Sequence, residues 1–371
     1  MSKKIKLLHI TSSLKIGGAE AVLCDIVRKL GHDKFEHHVI YFHDGPNVER
    51  MTGIGARLYH VKGFVCLYDP LFFTRLFFLI KRLKPDVIHS LLWSANVSSR
   101  VVAKMLRIPN ISAYHLDIYN DGMLRNTIDR ATRKMSDCVV AVSNDVATSL
   151  GGAHTYKKKF VIKNGIDFNY LHSSASKDCI TRKDLGLSSD LFVIGSVGRL
   201  HPQKNFPLLL KSFAQVSKVR KNVRLMIVGV GALEKELRDF ASHLGIAHNV
   251  MFVIGKKAST YYQVFDCFVQ SSIKEGLSIA LLEAMSFGLP CIVTKGKAPH
   301  PVVVHEKNGL IAESQDMQAL CDSILRVVDS RVLSDSLGVS AKKHVLEQFS
   351  VDGMVAQYKN LFASFSNRKS T

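Results

Sequence analysis

The chain has 371 residues, a length that suits two domains of roughly 150–200 residues better than one. Its apolar content of 47% and charged content of 22% are ordinary for a globular protein. No run reaches the roughly 18 apolar residues that a membrane-spanning helix needs, so we expect no such helix. The net charge of +19 raises the local concentration of anions such as nucleic acid, acidic lipid or nucleotide ligands, without selecting among them.

Seven cysteines are scattered along the chain, with no Cys-x-x-Cys pair. An odd number without metal-ligand spacing predicts reduced, mostly buried thiols in a cytosolic protein, and it argues against a disulfide framework or a zinc site. The N-terminus leads directly into an apolar strand, so we expect no signal peptide.

The first predicted strand covers residues 5–10 and is followed by a loop with Gly17 and Gly18 and a helix to about Leu30. The loop lacks the Gly-x-Gly-x-x-Gly spacing of a nicotinamide site. Paired glycines at a helix start allow a ligand to approach the backbone closely, and they equally allow a tight turn and nothing more. Both interpretations stay open, and Glu20 in the same loop receives no role.

A helix is predicted over residues 69–83. Its polar side chains fall on one narrow stripe, formed by Thr74, Arg75, Lys81 and Arg82. The rest of its circumference is Leu, Ile and Phe, and a helix of this kind is usually buried in a fold. The alternative is that one of the phenylalanines, at positions 72, 73, 77 and 78, faces a bilayer while the basic residues meet anionic head groups.

Short apolar runs predict five further strands in the first half of the chain, at residues 38–42, 58–61, 86–90, 111–115 and 138–143. His115 ends one of these strands. At the carboxyl end of a parallel strand a side chain can enter a ligand cleft, although a lone histidine there is more often structural.

The alternation of strands and helices restarts after a polar stretch at residues 173–189. A strand that begins at Phe192 leads into a loop with Arg199 and Lys204, so two cations can converge on one anion. In so basic a protein, the alternative for these two residues is a solvated surface. Gly229, in the loop after the next predicted strand, would allow close approach of a ligand.

The most informative segment is 267–294, where a strand, a loop, a helix and a second strand follow one another. Ser278 is a good N-cap for a helix to about Phe287, and Gly288 is a natural residue just past its end. Glu275 therefore lies in a loop at the carboxyl end of a strand, where open α/β sheets bind ligands, beside a helix N-terminus that favours an anion. A carboxylate would repel phosphate alone, but it suits a ligand that also carries hydroxyl groups.

Glu275, seven intervening residues and Glu283, followed by Ala-Met-x-x-Gly-x-Pro, resemble the paired-glutamate motif of the retaining glycosyltransferases of family 4. The resemblance covers essentially the whole chain. It implies the GT-B fold, an α/β architecture of two Rossmann-like doubly wound domains with an interdomain cleft. We expect an N-terminal acceptor domain at residues 1–168, a nucleotide-sugar domain at 169–350, and a last helix at 351–371 that crosses back to the first domain.

The resemblance also implies roles for individual residues. Glu275 would orient hydroxyls of the donor sugar, Glu283 would hold the ribose, and His115 would stabilise the reacting sugar. Arg199 and Lys204 would clamp the donor diphosphate, and with Glu275 and His115 they form the expected catalytic set. Further donor contacts are expected at Gly17, Gly18, Gly229, Ile254, Gly276, Leu277 and Ser278.

One segment departs from the family pattern. His300 and Pro301 stand where Pro-Glu is usual, which puts the contacts of this loop in doubt. No Asp-x-Asp sequence occurs in the chain, which favours a metal-independent reaction with no cofactor beyond the nucleotide sugar.

The expected activity is the retaining transfer of a hexose or N-acetylhexosamine, from a UDP-linked donor, to a lipid-linked glycan in cell-surface polysaccharide synthesis. The basic charge and the 69–83 helix favour the lipid acceptor and a peripheral position on an anionic membrane, at its cytoplasmic face. A soluble acceptor and a GT-B nucleotide-sugar epimerase are the alternatives. Nucleic-acid binding is not expected, because no recognised motif accompanies the charge.

Overall fold

The computed structural model describes residues 3–63, 69–115, 122–152, 156–177, 179–254, 258–295, 300 and 302–366. Contacts divide the chain into two compact units. Unit 1 comprises Met1–Gly165 and Val351–Thr371, and unit 2 comprises Ile166–Ser350. Each unit is a parallel sheet with helices between its strands, so the predicted class of two doubly wound α/β domains is confirmed.

The sheet of unit 1 has seven parallel strands in the order β3-β2-β1-β4-β5-β6-β7. The strands are β1 Ile5–Ser13, β2 Phe35–His43, β3 Arg57–His60, β4 Val87–Leu91, β5 Asn110–Tyr114, β6 Cys138–Ala141 and β7 Lys159–Val161. Strands β4, β5 and β6 are buried along their whole length, as expected for a parallel sheet that is covered on both faces. The winding direction changes between β1 and β4, where such sheets bind ligands.

Seven helices surround this sheet in the described part of unit 1. They are α1 Gly18–Leu30, α2 Asn47–Gly53, α3 Pro70–Leu83, α4 Trp93–Leu106, α5 Met123–Arg133, α6 Asn144–Ser149 and α13 Val351–Ser366. Helix α13 comes from the end of the chain and packs against α1 and β4. Its rings of Tyr358 and Phe362 are fully buried there, so the end of the chain supplies part of the core of unit 1.

Helix α3 buries one face only. Phe72, Leu76 and Ile80 are fully buried, whereas the side chains of Leu71 and Phe78 are 65% and 60% exposed. The prediction of a helix buried in the fold therefore holds for one face. The opposite face combines these two apolar side chains with exposed basic ones.

Three buried histidines lie inside the unit 1 sheet on adjacent strands, His9 on β1, His37 on β2 and His89 on β4. Nε2 of His37 lies 3.0 Å from the carbonyl oxygen of Gly31, which can only accept, so this nitrogen donates. Nδ1 of His37 then accepts from Nε2 of His9 at 3.2 Å, and Nδ1 of His9 accepts from Nδ1 of His89 at 3.2 Å. One tautomer of each neutral ring satisfies this chain, which packs against the ring of Phe362.

A second buried polar cluster joins α4, β5 and α5. Asp129 accepts from Nη1 of Arg100 at 2.8 Å, from the hydroxyl of Tyr114 at 2.9 Å and from Nε of Arg133 at 3.0 Å. Arg133 also donates to the carbonyl of Leu150 at 2.5 Å. Burial acts to raise the pKa of Asp129, but the two guanidinium groups outweigh it and hold that pKa below its usual value. No pattern in the sequence predicts either buried cluster.

The sheet of unit 2 has six parallel strands in the order β10-β9-β8-β11-β12-β13, so its winding direction changes between β8 and β11. The strands are β8 Phe192–Val197, β9 Val223–Val228, β10 Val250–Val253, β11 Cys267–Gln270, β12 Cys291–Thr294 and β13 Leu310–Ala312. Its helices are α7 Phe168–Lys177, α8 Phe206–Val219, α9 Glu234–His243, α10 Ile279–Ser286, α11 Met317–Asp329 and α12 Arg331–Gln348.

The helix that carries Glu283 begins and ends as its sequence predicts. The Ser278 hydroxyl accepts from the amide of Leu281 at 3.4 Å and caps α10, and Gly288 follows its end with φ of +77°. Helix α7, by contrast, extends into the polar stretch 173–189, for which no helix is predicted.

Candidate functional site

Two loops of unit 2 meet at the change of winding direction, one after β8 and one after β11. The hydroxyl of Ser271 donates to the carbonyl of Lys204 at 2.9 Å, and the side-chain amide of Gln203 donates to the carbonyl of Lys274 at 2.8 Å. The amide of Ile273 donates to the carbonyl of Gln203 at 2.9 Å. These bonds join residues roughly 70 positions apart and fix the two loops edge to edge, where open α/β sheets bind ligands.

Lys204 and Glu275 form an ion pair where these loops meet. Nζ of Lys204 bonds to Oε1 of Glu275, and the hydroxyl of Ser272 donates to the same oxygen at 2.9 Å. The two charged side chains are 17% and 14% exposed, so they are shielded from water but still reachable. The structure thus brings together two of the predicted catalytic residues, as partners of each other.

Arg199 lies in the same loop as Lys204, and its side chain is exposed. Within the described residues it makes no ion pair. A guanidinium group in this position is available to an anion that reaches Lys204.

Glu283 lies on α10, half-buried, and its Oε2 accepts from the hydroxyl of Tyr262 at 2.7 Å. Gly276, Leu277 and Ser278 form the buried connection from the Glu275 loop to the start of this helix. Tyr262 and Ser272 hold the two glutamates, and sequence reasoning missed both. Ser272 could have been found from its position three residues before Glu275, whereas Tyr262 has no such signal.

Gly229 allows two backbone segments of unit 2 to pack closely. A Cβ atom at this position would lie 1.9 Å from the carbonyl oxygen of Gly198, and the amide of Gly229 donates to the carbonyl of Val253 at 3.0 Å. The packing of the protein's own loops therefore explains this glycine, and approach of a ligand is not needed to account for it. Ile254, the residue after β10, is half-buried.

In unit 1, Gly17 is the N-cap of α1 and Gly18 its first residue. A Cβ atom on Gly17 would lie 2.3 Å from Oε2 of Glu20, a buried side chain whose Oε1 accepts from the hydroxyl of Ser13 at 2.8 Å. The glycine loop thus makes room for the chain's own carboxylate, a role the sequence left unassigned. A diphosphate contact at these glycines stays a prediction.

His115 directly follows β5 in unit 1. Both of its ring nitrogens are buried and have no hydrogen-bond partner among the described residues. Burial lowers the pKa of His115 to about 4, so the ring is neutral near pH 7 and carries one donor and one acceptor. A neutral ring of this kind suits contact with a hydroxyl group.

His300 accepts two backbone bonds in the segment that departs from the family pattern. Its Nδ1 accepts from the amides of Val302 and Val303 at 3.3 and 3.0 Å. Burial lowers the pKa of His300 to about 4, which keeps this acceptor nitrogen unprotonated. Pro301 and residues 296–299 lie outside the described residues.

The described residues contain neither a candidate metal site nor a helix that could span a membrane. No set of three or more His, Cys, Asp or Glu side chains in the ranges given above is arranged to hold a metal ion. Nor does any helix in those ranges combine the length and apolar character that crossing a bilayer requires.

Two family models match the chain, one in each half. Residues 16–170 match the model described as "Glycosyltransferase Family 4", and residues 179–344 match the model described as "Glycosyl transferases group 1".

Among similar proteins is the UDP-Gal:alpha-D-GlcNAc-diphosphoundecaprenol alpha-1,3-galactosyltransferase of Escherichia coli, 24% identical over 97% of this chain and 97% of its own length. The capsular polysaccharide biosynthesis glycosyltransferase CapM of Staphylococcus aureus is 22% identical over 98% of each chain.

Among solved structures, HepE of Anabaena in complex with UDP and glucose superposes with a TM-score of 0.85 at 21% identity, covering 97% of this chain and 100% of that one. Sucrose-phosphate synthase of Thermosynechococcus elongatus gives a TM-score of 0.80 at 19% identity, with the same coverage. These two likenesses show the fold.

Proposed function

Because residues 16–170 and 179–344 match the models of two glycosyltransferase families, we propose that this glycosyltransferase is a retaining, metal-independent enzyme. It moves a hexose or N-acetylhexosamine from a UDP-sugar to a lipid-linked glycan in cell-surface polysaccharide synthesis. The name of the E. coli relative supports these substrate classes, since it gives a UDP-sugar donor and a diphosphoundecaprenol-linked acceptor. The capsular role of CapM supports the process.

The Lys204–Glu275 pair is the observation that carries this proposal. A nucleotide sugar offers each side chain a better partner, phosphate for Lys204 and hydroxyl groups for Glu275. In the proposed mechanism the diphosphate draws Lys204 away from Glu275, with Arg199 as a second cation. The released carboxylate then accepts hydrogen bonds from the sugar, so donor binding itself assembles the site.

The reaction breaks the bond between the anomeric carbon and the β-phosphate oxygen, and the electron pair leaves with UDP. The acceptor oxygen bonds to the same face of the sugar, and its proton passes to the departing phosphate. Lys204, Arg199 and the N-terminus of α10 beyond Ser278 stabilise the negative charge that develops there, which makes a metal ion unnecessary.

The remaining residues bind and orient the donor. Glu283 accepts from the ribose hydroxyls, and the backbone at Ile254 contacts the base. His115, with its neutral ring, donates a hydrogen bond to the reacting sugar. Gly17 and Gly18 keep the diphosphate contact that the family resemblance implies.

Nucleotide release from a panel of UDP- and GDP-sugars, with and without a bacterial membrane lipid extract, tests the proposal. We expect lipid-stimulated release from one UDP-sugar, unchanged by EDTA and reduced roughly 10²–10³-fold in Glu275→Gln and Lys204→Met. Glu347→Gln, at an exposed position, is the matched control and should keep full activity. Product anomers by NMR should show retention.

Three outcomes would contradict parts of this proposal. Inhibition by EDTA would rule out metal independence. Conversion of the donor with no acceptor present would identify an epimerase. Nucleotide release that is stimulated by a water-soluble glycan but not by lipid would show that the acceptor is soluble.

We also propose that the exposed face of α3 contacts an anionic membrane at its cytoplasmic side. Leu71 and Phe78 lie one heptad apart on that face, beside exposed Arg75 and Arg82. Vesicles containing phosphatidylglycerol should sediment the protein in a salt-sensitive way, and a Leu71→Gln/Phe78→Gln variant should bind several-fold less. Val332→Gln on α12, at an 83% exposed position, is the control. Equal binding by all three proteins would refute this contact.

A further inference from the structure

Tyr262 contacts the helix that carries Glu283. It belongs to a short 3-10 helix, Tyr262–Val264, just before β11, and its side chain is fully buried. Its hydroxyl oxygen lies 2.7 Å from Oε2 of Glu283 and 3.3 Å from the carbonyl oxygen of Ala280. Both atoms are acceptors and the phenol has a single proton, so the shorter contact identifies Glu283 as its main acceptor.

The protonation state of Tyr262 keeps this bond in place across the working pH range. Burial, and after it the neighbouring Glu283 carboxylate, raises the pKa of the phenol well above its usual value. The phenol therefore stays protonated and donates whenever the carboxylate is ionised. A hydrogen bond to an ionised acceptor is also among the stronger ones in proteins.

The Tyr262 ring is held by aromatic neighbours. Phe287 lies 5.4 Å away with the rings 25° from parallel, and Phe265 meets the ring edge-on at 5.9 Å. Phe287 in turn stacks on His172 of α7 at 4.3 Å. The hydroxyl is thus fixed in place, and a carboxylate bonded to it loses freedom about its own side-chain torsions.

We propose that Tyr262 is a positioning residue for nucleotide recognition, which orients the Glu283 carboxylate toward the ribose hydroxyls of the donor. The inference rests on the proposed role of Glu283 and adds a residue that no motif singled out. Tyr262 acts only through Glu283. Loss of its hydroxyl should therefore weaken binding only of nucleotides that carry ribose hydroxyls.

Titration calorimetry of the full chain with UDP and with 2′,3′-dideoxy-UDP tests this inference. Tyr262→Phe keeps the ring and removes the hydroxyl, so Kd for UDP should rise roughly tenfold while Kd for the dideoxy nucleotide changes less than about twofold. Tyr261→Phe, at the neighbouring position and only 3% exposed, is the matched control and should change neither value.

An equal loss for both nucleotides would show that Tyr262 only supports the fold of unit 2 and would overturn the inference. Thermal unfolding of each variant checks that fold. If Tyr262→Phe does not fold, Phe287→Leu can replace it, because this variant loosens the ring but keeps the hydroxyl. Relative to wild type, Phe287→Leu should also raise Kd for UDP more than Kd for the dideoxy nucleotide.

Glu283→Gln separates failure of this inference from failure of the proposed function. If Glu283→Gln affects both nucleotides alike, the ribose role of Glu283 is wrong. If it weakens UDP alone but Tyr262→Phe does not, only the role of Tyr262 is wrong. In the Glu283→Gln background, Tyr262→Phe should bring no further loss of UDP affinity, because its effect passes through the same carboxylate.

Discussion

The two units are wound in the same way around parallel sheets, yet they bury different groups. Within the residues described, every His, Asp, Glu or Arg residue that is at most 8% exposed lies in unit 1, namely His9, Glu20, His37, His38, His89, Arg100, Asp129 and Arg133. Unit 2 buries an apolar core around α8, β9 and α11, and keeps Lys204 and Glu275 half-buried at the strand ends.

This difference separates two uses of polar side chains. In unit 1 they bond to one another, to neighbouring side chains or to the backbone deep in the fold, so they hold structure and depend on their charge state. In unit 2 the charged pair lies where a ligand can reach it, so it can exchange partners. We therefore expect unit 1 to respond strongly to changes of charge and unit 2 to changes at its loops.

Lowering the pH should produce the largest difference in stability between the two units. Burial lowers the pKa of His89 to about 3 and of His37 and His115 to about 4, whereas an unfolded histidine titrates near 6.5. Below pH 6.5 the unfolded chain binds protons that the folded chain does not, so stability falls as pH falls toward 4. Between pH 6.5 and 5, each such histidine lowers the free energy of unfolding by roughly 2 kcal/mol.

Trp93 makes this measurable, because it is the single tryptophan of the chain and lies on α4 of unit 1. Urea unfolding followed by its fluorescence, at several pH values, should show unit 1 losing several kcal/mol between pH 6.5 and 5. His243→Gln, at an exposed position of unit 2, should leave the pH dependence unchanged. A flat profile over this range would contradict the prediction.

The second-largest loss of stability should follow from the removal of one buried charge. Asp129→Ala leaves Arg100 and Arg133 buried without their carboxylate, which should destabilise unit 1 by about 3–5 kcal/mol in the same urea experiment at pH 7. The matched control is Asp329→Ala in unit 2, whose partner Arg220 is 44% exposed, and which should lower the free energy of unfolding far less than Asp129→Ala does. Similar losses in the two variants would refute the contrast between the units.

The smallest expected effect concerns the loop packing of unit 2. Gly229→Ala places a Cβ atom 1.9 Å from a backbone oxygen of Gly198, so the two segments must move apart, at about 1–3 kcal/mol and with weaker UDP binding. At Gly53, at the end of α2, an added Cβ meets nothing within 4 Å. Gly53→Ala should therefore leave the free energy of unfolding and the affinity for UDP unchanged. If the two variants behave alike in thermal unfolding and in titration calorimetry, the packing role of Gly229 is wrong.

Local patterns predict most of the fold. The strand at residues 111–115 is observed as Asn110–Tyr114, and the cap at Ser278 and the turn at Gly288 are observed as predicted, because their causes lie within a few residues. The family resemblance nominated Lys204 and Glu275. Their ion pair could not be predicted, because it joins residues 71 positions apart through the order of β8 and β11.

Other features have no local signal in the sequence. Histidines such as His9 and His89 interrupt apolar strands without any pattern that would show them pairing across the sheet. The close packing of Gly229 against Gly198 is not visible in the sequence either, and the donor contact expected at Gly229 stays a prediction. Tyr262 has no motif at all, and only the folded chain brings it to Glu283.

The place of helix α13 has a consequence for synthesis on the ribosome. Unit 2 is continuous in the chain, whereas unit 1 takes its last segment, Val351–Thr371, from the C-terminus. Translation at 5–20 residues per second spends roughly 10–40 s on the intervening unit. During that time His9 and His89 lack the ring of Phe362 that packs on them in the finished protein. The half of the protein that is made first is thus the half that is completed last.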